Sequence, residues 1–271
     1  MRTKNSNEIF VVSIVFFVVV LLFKVFELLL IGEGENQVIG FRTAGYLAML
    51  LLPALKIRLD RSGFSKYGIT LSNINNDISI VLSCIIPIYA ISIALHLFDW
   101  RSWGGAFWVV LVQIAVLIIV LNIVNTQSNK ISNLKRDLLY LSSIIIIGSL
   151  IQISTGRAIS DVFSAFIRFF IIAAPIEEFF FRGYVQTKLN DVFDPRFSLF
   201  GVNFGWGLIL ASLLFGAMHV FNPYNPLLDS YEISLPWGLW TTMFGFILGL
   251  IREKTNSLTA PILLHAIVNF L

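Results

Sequence analysis

The chain has 271 residues, of which 57% are hydrophobic and 13% charged, with a net charge of +3. Soluble domains carry about 25% charged residues, and a globule of this size has too little interior to hide so much apolar surface. A water-soluble enzyme is therefore excluded, and so is a nucleic-acid-binding protein, because the basic residues are scattered through short loops. What remains is an all-α, polytopic membrane protein.

In chain order, apolar segments fall near 9–31, 38–55, 78–98, 105–125, 137–154, 159–190, 204–221, 236–251 and 257–271. Read as spans, they predict a helical bundle of eight or nine transmembrane helices, eight if 38–55, which carries Arg42, lies only in the interface. The first run follows Met1-Arg2-Thr3-Lys4 and resembles a signal peptide, but it continues past Lys24 to Ile31 with no small-residue cleavage site, so it reads as a retained span. Lys24 and Glu27 are three apart and can pair.

Basic clusters at Arg2/Lys4, Lys56/Arg58/Arg61/Lys66, Lys130/Lys135/Arg136, Lys188/Arg196 and Arg252/Lys254 alternate with loops carrying Glu33/Glu35, Asp99/Arg101, Arg157/Asp161 and Asp229/Glu232. By the positive-inside rule this puts a multi-pass protein in the cell membrane with its N-terminus in the cytoplasm. No linker divides the chain. It reads as a single membrane domain over 1–271. The single cysteine, Cys84, excludes an intrachain disulfide and reads as a small buried apolar residue.

The most informative segment is Ala173-Ala174-Pro175-Ile176-Glu177-Glu178-Phe179-Phe180-Phe181-Arg182. Ionisable residues inside a membrane helix are costly and mark functional sites. Glu178 and Arg182 are four apart, on one helix face, with the acid N-terminal to the base; they read as a neutralised pair that supports the helix. Glu177 is rotated by about 100° from Glu178 and misses that partner, which leaves it free to act as a general base. Pro175 removes a backbone hydrogen bond just upstream.

At about 1.5 Å per residue, Glu177 lies roughly 16 Å from Lys188, His219 roughly 22 Å into a helix starting near Phe204, and His265 roughly 16 Å past Lys254. Three helices thus bring polar groups to a similar depth. A single histidine or asparagine at such a position is more often interhelical glue. Together with Glu177, however, His219 can help activate water, and His265 and Asn269, one turn apart, can act as oxyanion donors. His96, near a span end without matching neighbours, reads as interfacial. The pairs Gly245/Gly249 and Gly201/Gly205 read as close helix packing.

Glu-Glu-x-x-x-Arg at 177–182, Phe-x-x-x-His at 215–219 and His-x-x-x-Asn at 265–269 occur in the order found in the CAAX prenyl endopeptidase and bacteriocin-processing family, also called CPBP or Abi. The first motif alone has a chance rate on the order of 10⁻⁴ per position at average composition. The chain therefore resembles a type II CAAX-type intramembrane glutamate protease over about 159–271.

The resemblance implies a peptidase acting on a membrane-associated protein or peptide, by CAAX-type or precursor processing. It implies that Glu177 and His219 activate the water, that His265 and Asn269 stabilise the oxyanion, and that no cofactor is needed. A divalent metal is disfavoured, since there is no His-Glu-x-x-His pair and a zinc site would consume the groups catalysis needs. Two other classes compete. A proton-coupled transporter would use Glu177 as its carrier, but no internal repeat is visible and the polar residues cluster in the last third. A non-proteolytic immunity or regulatory protein would not need Glu177, His219, His265 and Asn269 together. The expected partners are the substrate and the bilayer, not nucleic acid.

Overall fold

The computed structural model describes residues 2–28, 35–127, 133–193, 197–220, 224–225, 230–231 and 233–271, with side chains over 7–22, 45–127, 133–193, 197–220 and 233–271. The expected Lys24–Glu27 pair, Arg42, and the loop charges Arg2, Lys4, Glu33, Glu35, Lys130, Arg196, Asp229 and Glu232 lie outside those side chains.

Nine helices carry the described fold: α1 (Arg2–Leu28), α2 (Glu35–Leu59), α3 (Ile74–Leu97), α4 (Trp103–Gln127), α5 (Leu134–Ser154), α6 (Ile159–Val192), α7 (Trp206–Val220), α8 (Leu235–Thr255) and α9 (Thr259–Phe270). Between α6 and α7 lies an antiparallel hairpin of β1 (Phe197–Leu199) and β2 (Val202–Phe204), with Phe197 opposite Phe204. A second two-stranded pairing joins β3 (Tyr224–Asn225) and β4 (Ser230–Tyr231).

The protein is helical and multi-pass, but the expectation of eight or nine spans is overturned. Among the described residues four helices are long and apolar enough to cross a membrane: α3, α4, α5 and the 34-residue α6. The reason is length and dilution. α7 has 15 residues and α9 has 12, about 22 and 18 Å at 1.5 Å per residue, against a hydrocarbon core of about 30 Å. α1 contributes a shorter apolar helix over Asn7–Leu22. α8 has 21 residues, but Pro236, Gly238, Thr241 and Thr242 interrupt its apolar run and Arg252 and Lys254 occupy its last turn. α2 carries Lys56 and Arg58 in its last turn and Pro53 within. Apolar letters therefore overcount spans wherever a helix is cut short or buried against protein.

Local chemistry sets the helix ends. The Ser234 side chain accepts from the Trp237 N–H, with Pro236 in the first turn, so α8 starts there. It ends at Asn256, which takes the left-handed conformation (φ 53°) and turns the chain into α9. α6 is not a uniform α-helix. Two wider π-helical stretches, Ile167–Ala173 and Phe179–Val185, flank the α-helical Ala174–Glu178. Pro175 lacks the N–H that an unbroken ladder needs, and such widened turns recur at functional sites.

Close approaches are built on glycine. A Cβ at Gly216 on α7 would stand 2.5 Å from the Gly238 carbonyl of α8, and one at Gly245 would stand 2.9 Å from Arg182 Nη2. Gly249 packs against Gln186 and Leu208. Gly245 and Gly249 thus serve helix packing as read. Gly201 does not: with φ 78° it follows Phe200 (φ 47°) in the turn of the β1–β2 hairpin, the pairing that left-handed hairpin turns require.

One apolar core gathers α3, α4, α8 and α9, and includes Cys84. A second gathers α1, α2 and the Phe179–Leu189 part of α6. The glutamates lie on the helix between the two.

Candidate active site

The end of α6 is tied down first. Lys188 is 5% exposed and donates to Asp60 at 2.6 Å and to Glu8 at 3.1 Å, which joins α6 to α1 and to the turn after α2. Burial alone would push the Asp60 carboxyl up, but Lys188 and Lys56 outweigh it and hold that carboxyl below its ordinary range. On the other side Gln186 donates to the Gly249 carbonyl (3.2 Å) and to Glu253 (2.6 Å), and Asn190 donates to Glu253 (2.6 Å). Arg252 reaches Thr187 Oγ1 at 3.2 Å. This collar fixes the rotation of α6 about its axis and therefore fixes where its two glutamates point.

Glu178 is fully buried and is the hub. Its Oε1 accepts from Arg182 Nη1 at 2.9 Å and from His265 Nδ1 at 2.7 Å. Arg182, 1% exposed, lays its guanidinium 4.3 Å from the Phe215 ring centre, a cation–π contact that supports a desolvated charge. Gly245 leaves the space the guanidinium occupies.

A carboxylate paired with a guanidinium only accepts, so the hydrogen that His265 shares with Glu178 sits on Nδ1. In the neutral ring Nε2 is then an acceptor, and it lies 3.9 Å from Glu177 Oε2. His265 is 4% exposed, and its ring meets Phe215 and Phe244 edge to face.

Glu177 is 8% exposed. Its Oε1 accepts from the Tyr46 hydroxyl at 3.1 Å, and its Oε2 faces His265 across a gap too wide for a direct hydrogen bond. A water beside that gap can touch both groups. His219 is the penultimate residue of α7 and half-buried. Its Nδ1 lies 2.8 Å from the Phe215 carbonyl, which only accepts, so Nε2 is again the acceptor in the neutral ring. The ring rests against Phe215 and Trp237, and Glu177, His265 and Arg182 all act on it electrostatically.

The structure therefore brings Glu177, Glu178, Arg182 and His265 into one cluster with His219 beside it. Asn269, one turn beyond His265 on α9, is exposed, and no hydrogen bond joins it to the glutamates among the described residues. His96, at the end of α3, is exposed and bonds the Ser92 carbonyl of its own helix. Among the described residues no three of His, Cys, Asp and Glu are arranged to hold a metal ion.

Two contributors escaped the sequence reading. Tyr46 is an ordinary tyrosine in an apolar run, 131 residues before Glu177, and no local pattern points to it. Phe215 was visible as the first letter of its motif, but its role as the platform under Arg182 depends on the α6–α7 crossing.

Residues 159–271 match the family model described as Type II CAAX prenyl endopeptidase Rce1-like. No curated protein and no solved structure matches this chain.

Proposed function

Residues 159–271 are a CAAX-type intramembrane protease domain of the Rce1-like family, and from that premise we propose that the chain is an endopeptidase in which Glu177 activates the attacking water. The observation that carries this reading is His265 lodged between the two glutamates, 2.7 Å from Glu178 and 3.9 Å from Glu177. The arrangement separates two roles. Glu178, neutralised by Arg182, holds the imidazole and its tautomer, while Glu177 has no Lys or Arg bonded to it among the described residues and serves as the base.

In the proposed reaction a water at Glu177 Oε2 gives up a proton to the carboxylate as its oxygen attacks the scissile carbonyl. His219 assists from α7 through Nε2. The carbonyl π electrons move to oxygen, and His265 and Asn269 face the resulting oxyanion. For His265 this role needs the ring protonated on both nitrogens before the attack, Nδ1–H to Glu178 and Nε2–H to the oxyanion, whose negative charge then balances the ring's. Collapse of the intermediate breaks the C–N bond, and Glu177 returns its proton to the leaving amine.

The substrate in this reading is the C-terminal or membrane-proximal segment of a membrane-associated protein or peptide. The N-terminus lies in the cytoplasm, as the loop charges favour. The helices over 1–155 frame a catalytic core over 159–271 within one membrane domain.

The test is cleavage of CAAX-terminated peptides, farnesylated and unmodified, by the purified full-length chain, wild type against Glu177→Gln. The amide keeps the shape but not the basicity, so turnover falls by about 10²–10⁴-fold with an unchanged melting temperature. Equal turnover in the two proteins removes Glu177 from the chemistry.

A further inference from the structure

One side chain reaches the site from outside the residues that match the family. Tyr46 lies on α2, and its hydroxyl donates to Glu177 Oε1 at 3.1 Å. Packing sets the height and rotation of that helix. Met49 and Ile57, further along α2, are fully buried in the cluster that contains Phe179, Phe180, Phe181 and Tyr184 of α6. Positions three, seven or eleven apart lie near one helix face, so the stripe that anchors α2 against α6 is the stripe that carries Tyr46. The register that seats Met49 also delivers the phenol to the carboxylate.

The two neighbouring glutamates differ in the chemistry of their donors. Glu178 is held by a permanent cation, Arg182, at 2.9 Å, which cancels its charge. Glu177 is held by a phenol, a donor that carries no charge of its own. A neutral donor orients a carboxylate without cancelling its charge. It also restricts a group that otherwise turns easily, since the terminal torsion of a glutamate is broad and roughly two-fold. With Oε1 occupied by Tyr46, Oε2 is the oxygen left to face His265 Nε2.

We infer that Tyr46 is a positioning residue for the Glu177 carboxylate, so that the helices before residue 159 complete the protease site rather than only anchoring it. The inference rests on the reading of Glu177 as the base and deepens it. It also assigns α2 a specific duty in the reaction, since among the described side chains Tyr46 alone brings a hydroxyl within hydrogen-bonding distance of Glu177.

The experiment uses the full-length chain in detergent, comparing wild type, Tyr46→Phe and Tyr46→Gln, with the CAAX-terminated peptides as probe. Tyr46→Phe removes one oxygen from a half-buried side chain and leaves the packing intact. Its kcat is expected to fall roughly 10- to 100-fold, as for a mispositioned catalytic group, with KM within about twofold because substrate binding is untouched. Tyr46→Gln keeps a neutral N–H donor and restores part of the rate.

A second measurement reads the contact without turnover. The infrared difference between wild type and Glu177→Gln isolates the Glu177 carboxylate stretch, and the same difference is taken in the Tyr46→Phe background. A shifted band with a lowered kcat supports the inference. An unmoved band overturns it, as does a shifted band with unchanged kcat. If wild type cleaves none of the peptides, the protease reading fails separately, while the band still decides whether Tyr46 holds Glu177.

Discussion

α4 and α6 are both long apolar helices, and they meet their surroundings in opposite ways. α4 turns a row of large side chains outward, including Phe107, Trp108, Leu111, Ile114 and Ile118. Its one buried polar side chain is Gln113, which holds the Trp240 carbonyl at 3.1 Å. α6 turns nothing outward between 177 and 189, where every residue is buried, among them Glu177, Glu178, Arg182, Gln186 and Lys188. A helix facing lipid can carry almost no charge, because lipid offers neither counter-charge nor hydrogen bonds. A helix wrapped by protein can carry several, provided each finds a partner. The difference between a lipid-facing helix and one that carries charge is thus the company of its polar groups more than its apolar content.

The largest expected effect on stability tests whether α6 depends on that company. Arg182→Met strands Glu178, and breaking a buried pair this way costs about 3–5 kcal/mol. Glu178→Gln keeps an acceptor for His265 Nδ1 and removes only the charge. Melting temperatures of wild type, each single variant and the double variant should show a double loss smaller than the two single losses added. Additive losses would mean that the 2.9 Å contact carries no energy. Full stability with lost cleavage in Arg182→Met would place the guanidinium in the reaction itself.

A smaller effect comes from the crossings around α6. Gly216→Ala puts a methyl 1.8 Å from Thr242 Oγ1 and 2.5 Å from the Gly238 carbonyl. Such overpacking costs about 1–3 kcal/mol and should lower the melting temperature and, by shifting Phe215, cleavage as well. The counterpart on α4 is Gly104, where an added Cβ meets nothing within 4 Å. Gly104→Ala should therefore be neutral or stabilising by up to about 1 kcal/mol, through the reduced freedom of the unfolded chain. A loss at Gly104 as large as that at Gly216 would erase the contrast between the two halves.

Much of the site was legible because its chemistry is local. Glu178 and Arg182 are one helical turn apart, so their pairing follows from helix geometry alone, and the two charges stand out against an apolar run. The span count was misread for the opposite reason. The segments near 204–221 and 257–271 look apolar because protein buries them, and they form helices of 15 and 12 residues. Hydropathy responds in the same way to lipid and to a protein interior. The hairpin that holds Gly201 was missed because a short turn between apolar residues leaves little periodic trace.

The sequence by itself determined the membrane class, the helical architecture and the pairing of Glu178 with Arg182, because composition and i, i+4 spacing act through forces that neighbouring residues already feel. Only the tertiary structure decided which glutamate takes His265, since Glu177 and Glu178 differ by a rotation about one axis and the packing against α7, α8 and α9 chooses between them. It likewise left Asn269 exposed and brought Tyr46 to Glu177 across 131 residues. Contacts at that separation depend on how whole helices seat against one another, which no local window of residues encodes.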